Sequence, residues 1–85
     1  MHIENLVKMA NQIGNFFEAM PDREEALADI ASHVKKFWEP RMKRAFLAHI
    51  DDAGGEGVEP IVMEAVARHR EKFEVTLRDA ATTTA

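Results

Sequence analysis

Cysteine is absent from this 85-residue chain, and serine and tryptophan occur once each. Without thiols there is no disulfide staple, thiolate metal site, iron–sulfur ligation or cysteine nucleophile, and no redox chemistry of the chain's own is expected. The lone Ser32 has no G-x-S-x-G around it, which removes the nucleophile elbow of a serine hydrolase. Long apolar runs are missing as well: no window approaches the ~20 consecutive apolar residues that cross a bilayer. Residues 1–20 interleave Glu4, Lys8, Asn11, Gln12, Asn15 and Glu18 with apolar positions. They lack the basic start and unbroken apolar stretch of a signal peptide, so the segment is expected to stay in the mature protein and the location to be cytoplasmic. Glycine is scarce, and three of the four glycines sit in Gly54-Gly55-Glu56-Gly57. With no preceding strand and no P-loop lysine, that stretch reads as a turn.

What is present is ordinary globular material, 46% hydrophobic and 31% charged, with a net charge of −4. A domain of this size buries only about 60 to 65% of the surface its unfolded chain exposes, so a partner surface is a natural complement to its own core. Apolar residues recur at helical spacing and never alternate as in a strand, and there is no internal repeat. Ile3, Leu6, Val7, Ala10, Ile13, Gly14 and Phe17 form one stripe, predicting a first helix over about 3–19. Gly14 lies inside that stripe, where glycine costs about 1 kcal/mol relative to alanine, which points to a backbone approaching closely there. Met9, Phe16 and Met20 make a second apolar line, more than one neighbouring helix covers.

Pro21 stops this helix, and Asp22 with Glu25 reads as a capping box for a second over about 22–38, with the stripe Leu27, Ile30, Ala31, Val34, Phe37 and Trp38. Pro40 fits the first turn of a third helix, about 41–52, facing inward with Met42, Ala45, Phe46, His49 and Ile50. Glu59-Pro60 opens a fourth, about 60–78, with Ile61, Val62, Ala65, Val66, His69, Phe73 and Leu77 inward. On its wet face Glu64/Arg68 and Arg70/Glu74 are spaced as i,i+4 ion pairs. The expected fold is all-α: a small bundle of about four short helices with a Pro-marked corner between helices 2 and 3, helices 1, 2 and 4 packing together and helix 3 crossing them. Residues 1–79 are expected to form a single helical domain and 80–85 a flexible C-terminal tail.

The polar groups assemble no chemistry. Of His2, His33, His49 and His69, no two are three or four residues apart on one helix, so no metal site is expected. His49 and His69 each lie in an apolar stripe, where a ring nitrogen bonded to a carbonyl is the common arrangement. Glu24/Glu25 and Asp51/Asp52 sit at helix ends on polar ground and are read as solvated carboxylates; no catalytic residue and no cofactor-binding residue is assigned.

Charge is unevenly placed. Residues 35–44 hold five basic residues and one acidic, +4, leaving −8 for the remainder, and surround the single Trp38. Phe37 and Trp38 read either as core with solvated Lys and Arg beside them, or as a protein docking surface, since Trp, Arg and Met are enriched at interface centres. Basic residues interleaved with aromatics also suit nucleic acid, although the negative charge of the whole chain argues against it. The surplus apolar surface of helix 1 leaves self-association as a third reading.

Met9-Ala10-Asn11-Gln12-Ile13-Gly14, Phe16-Phe17, Pro21, Ile30-Ala31 with His33, Phe37-Trp38-Glu39-Pro40-Arg41-Met42, and Pro60-Ile61-Val62 with Ala65-Val66 together resemble one family. It is the delta subunit of the soluble NAD-dependent formate dehydrogenase of bacteria, and the resemblance covers about residues 3–70. The resemblance implies a small subunit without a cofactor of its own, in a complex that oxidises formate to carbon dioxide and reduces NAD. The large subunit of that complex carries a molybdenum or tungsten pterin and iron–sulfur clusters; other subunits carry FMN, further clusters and the NAD site. It further implies a non-catalytic role in assembly, stability or molybdenum-cofactor maturation. On this reading the chain docks on the large catalytic subunit: Phe37 or Trp38 is the apolar anchor, Pro40 and Met42 flank it, Arg41 and Arg44 pair with acidic groups, and Met9, Phe16 and Met20 form a second contact.

Overall fold

The computed structural model describes residues 2–75, and every regular element among them is helical. These are α1 (Ile3–Glu18), α2 (Arg23–Phe37), α3 (Pro40–Ala53), α4 (Pro60–Arg68) and the short α5 (Arg70–Phe73). The chain chemistry sets the boundaries. Asp22 caps α2, its Oδ1 accepting the Glu25 N–H at 3.2 Å, and Lys35 and Lys36 occupy the last turn, where the helix dipole favours cations. Glu39 takes an extended backbone (φ −68°, ψ 153°) before Pro40, which opens α3. α3 ends on left-handed Gly54 (φ 68°), and the next residue, Gly55, donates its N–H back to the His49 carbonyl at 3.1 Å.

α2 is the centre of the bundle, with α1, α4 and α5 against it, while α3 packs across α1 and α5. The core runs through Leu6 and Ala10, Leu27, Ile30, Ala31 and Val34, Trp38 and Phe46, then Ile61, Val62, Ala65, Val66 and Phe73. At Gly14 α4 presses close on α1: a Cβ built there would stand 2.6 Å from Val62 Cγ2 and 3.1 Å from Ile61 Cγ2. That accounts for glycine inside the stripe.

Four expectations are corrected. The fourth helix does not run unbroken from 60; it breaks at His69 (φ −131°, ψ 41°) and resumes as α5. No proline or glycine marks this break. It swings Phe73 fully into the core, its ring stacked 6.3 Å from Phe46. Tertiary packing therefore overrides local helix continuity. The predicted stretch beyond residue 75, with Leu77 and the tail 80–85, lies outside the described residues. Glu64 and Arg68 do not pair along α4; Arg23 Nε donates to Glu64 at 2.8 Å and Arg68 meets Glu24, so both tie α4 to α2. Lys43 is not a solvated member of the basic segment: it is 3% exposed, its stem covering the core one turn before Leu47. Asp51 is not simply solvated, because it pairs with Arg70.

Candidate functional site

The face that α1 turns away from α4 stays open. Ile13 and Phe17 pack against the core edge, but Phe16 is 74% exposed and Met9 39%. Phe16 stands edge-on to Phe17, centroids 5.0 Å apart. The opposite wall comes from the end of α2 and the start of α3. His33 lies between Phe17 at 6.5 Å and Phe37 at 4.8 Å, continuing an aromatic row across the two helices. Phe37 and Trp38 share one predicted stripe, but they are consecutive residues about 100° apart around the end of α2 and differ in burial. Trp38 turns in, 5% exposed, edge-on to Phe46 at 5.5 Å; Phe37 stays out, 70% exposed.

Between these walls lies a groove of about 520 Å³ lined by Met9, Gln12, Ile13, Phe16, Phe17, His33, Phe37, Trp38 and Met42. It gathers Met9, Phe16, Phe37, Trp38 and Met42 from the residues assigned to docking. Met20 and Pro40 are half-buried outside the lining, and Arg41 and Arg44 are exposed on α3. Arg41 Nη2 lies 3.6 Å from Glu39 Oε2. Gln12, Ile13, Phe17 and His33 line it too and lie outside the assigned docking residues. Helical spacing held the signal, since Gln12 is three residues after Met9 and His33 four before Phe37.

Polar groups elsewhere have structural partners. Asn11 is a clamp between α1 and the glycine turn: its Nδ2 donates to the Gly57 carbonyl and its Oδ1 accepts the Glu59 N–H, both at 2.9 Å. The second bond satisfies a donor at the start of α4, where Glu59 has no side-chain cap of its own. His49 Nε2 lies 2.7 Å from the Glu56 carbonyl, the arrangement expected of a histidine in an apolar stripe. Asp51 accepts Arg70 Nη1 at 3.1 Å and Nη2 at 2.6 Å. These bonds hold its carboxyl below the ordinary 3.8 and raise the Arg70 guanidinium. Among the described residues no group of three or more His, Asp or Glu is placed to hold a metal ion, and no helix is long and apolar enough to cross a membrane.

The geometry defines a small all-α domain with an apolar, aromatic-walled groove between α1 and the α2–α3 corner. The model of the family described as NADH-dependant formate dehydrogenase delta subunit FdsD matches residues 5–66, and the chain belongs to that family. The match spans both walls of the groove and the Asn11 clamp, and ends before α5. No curated protein and no solved structure matches the chain.

Proposed function

We propose that the chain is a non-catalytic accessory subunit of formate dehydrogenase that docks through its groove on the large catalytic subunit, and so supports assembly, stability or molybdenum-cofactor maturation of the complex. Membership of the delta-subunit family supports the complex, and the observation that carries docking is the open groove. Phe16 and Phe37 hold 74% and 70% of their surface in water, beside Met9 and Met42. Fully burying such a side chain is worth about 1.5–3 kcal/mol, and exposed aromatics gathered on one concave face mark interaction sites. Phe37 is the anchor on this reading, with Phe16, Met9 and Met42 completing the apolar contact and Met20 extending it. Trp38 and Pro40 set the shape of the wall from beneath, and Arg41 and Arg44 pair with acidic groups of the partner. The molybdenum or tungsten pterin, iron–sulfur clusters, FMN and NAD belong to the partner subunits, and the complex works in the cytoplasm.

The test is an affinity purification of the C-terminally tagged full chain from its own host, assayed for the large subunit, molybdenum and formate-dependent NAD reduction. Co-elution of active enzyme in fixed stoichiometry is the expected result. Elution with a large subunit that lacks molybdenum assigns the chain to assembly in preference to the finished enzyme. Elution alone, or with nucleic acid, refutes the proposal.

A further inference from the structure

We infer that the groove receives an amphipathic helix of the large subunit, apolar on the side it buries and acidic along its flanks. The inference rests on the docking reading above and specifies what the groove takes. The α1 wall is the side of a helix, and the opposite wall is the end of α2 and the start of α3, so neither offers a strand edge. A guest strand would find no free edge to pair with. A segment pressed against Phe16, Phe37 and Met9 loses water from its own backbone, and a helix is the structure that satisfies those groups internally. The length agrees: the α1 wall runs from Met9 to Phe17, about 12 Å of helix axis, which spans the two turns of an i, i+3/i+4, i+7 stripe.

Charge selects the flanks. Residues 9–17 carry no Asp, Glu, Lys or Arg, so the α1 wall is neutral. Lys8 and Glu18 close its two ends with opposite charges, and the basic excess lies on the stretch that forms the other wall. There Lys35, Lys36, Arg41 and Arg44 are exposed against the single acid Glu39, in a chain that is otherwise acidic. A second copy docked face to face through the same groove would set this basic stretch against itself. An acidic-flanked helix is complementary to it.

Two arms test this with the full chain. Two labelled helical peptides share one leucine stripe and differ only in flanking Glu or flanking Lys. The Glu-flanked peptide is expected to bind about ten-fold tighter at low salt, the gap closing as salt rises. Lys36→Glu with Arg41→Glu abolishes the preference, and Phe37→Ala weakens both peptides while leaving the circular dichroism unchanged. Equal affinity for the two peptides, or indifference to Phe37→Ala, overturns the inference. In the second arm a photoreactive residue replaces Phe37 in the complex with the large subunit. A crosslink to a helical, acid-flanked segment of that subunit supports the inference; a crosslink to an extended or basic segment, to a second copy or to nucleic acid overturns it. If the Glu-flanked peptide binds as expected but no large subunit co-elutes, the docking reading fails and the groove chemistry stands. Co-elution with a crosslink to the wrong kind of segment does the reverse.

Discussion

Gly14→Ala is the perturbation that most directly interrogates the α1–α4 contact. In an exposed helix interior the change gains about 1 kcal/mol of helix propensity. Here the new Cβ would stand 2.6 Å from Val62 Cγ2, about 1 Å inside the roughly 3.5–4.0 Å at which carbon atoms rest. Val62 is fully buried and β-branched, so it has no free rotamer to retreat into. Overpacking of this kind costs about 1–3 kcal/mol. The packing cost exceeds the propensity gain, and a net destabilisation of about 1 kcal/mol is expected, a fall of about 4–8 °C in melting temperature for a domain of this size. Urea denaturation of four proteins measures it: wild type, Gly14→Ala, Val62→Ala and the double variant. Val62→Ala alone loses about 2–3 kcal/mol. In its background the Cγ2 obstacle is gone and Gly14→Ala turns stabilising by up to about 1 kcal/mol, so the cycle yields a coupling of about 2 kcal/mol. Asn15→Ala, on the exposed face of the same helix, is the propensity control and stabilises by about 0.5 kcal/mol. If Gly14→Ala behaves like Asn15→Ala and the cycle is additive, α1 and α4 do not meet at Gly14 and the packing argued for this bundle is wrong.

Asn11→Ala removes both bonds between α1 and the glycine turn, with an expected loss of about 1–3 kcal/mol and faster hydrogen exchange at the Glu59 amide, read by NMR. Phe37→Ala changes stability by no more than about 0.5 kcal/mol, because the ring is 70% exposed, whereas Trp38→Ala costs about 3–5 kcal/mol in chemical denaturation. Equal effects at the two positions would refute the difference in burial described for them. The Asp51 carboxyl titrates below its ordinary 3.8 in the folded chain, so its pairing with Arg70 stabilises fully above that value and is lost as pH falls through the lowered one. Comparing urea midpoints from about pH 6 to pH 2 with those of Arg70→Gln checks this, since the variant's acid profile is expected to be flatter.

Much of the helical frame was legible because caps and breakers are local. Pro21, Asp22, Pro40, Gly54 and Pro60 each act within a turn of their own position, and all mark observed boundaries. The break at His69 was not legible, since nothing local forbids helix there. It follows from where Phe73 finds Phe46 and Arg70 finds Asp51, contacts between residues about twenty or more positions apart. Lys43 was misjudged for a related reason. It sits one turn before both Phe46 and Leu47, on the buried side of α3, and its charge conceals a stem long enough to cover apolar surface. The groove was half legible. The second apolar line of α1 announced an uncovered surface, but periodicity alone put Phe37 and Trp38 on one stripe. Consecutive residues stand about 100° apart on a helix, and at the end of α2 that rotation buries Trp38 and leaves Phe37 at the rim.

The two most specific of the stretches that carry the family resemblance, residues 9–17 and 37–42, divide the same labour in the same way. In the first, Asn11 and Gly14 face inward, one holding the glycine turn and the other admitting Val62. Met9, Gln12 and Phe16 face the groove. In the second, Trp38 fills the core against Phe46 and Pro40 sets the corner, while Phe37 and Met42 face the groove. Neither stretch reduces to helical amphipathicity, because each specifies a core contact and a surface feature within two turns. The inward members fix where the backbones run, and so fix the spacing between walls that the outward members occupy. A large-to-small change at an inward position is therefore expected to act on the groove through stability, with binding and melting temperature lost together. A change at Phe16 or Phe37 should remove binding alone. Measuring both quantities on Val62→Ala and Phe37→Ala separates the two duties, and if Phe37→Ala melts early while binding is retained, the assignment of this face to docking is refuted.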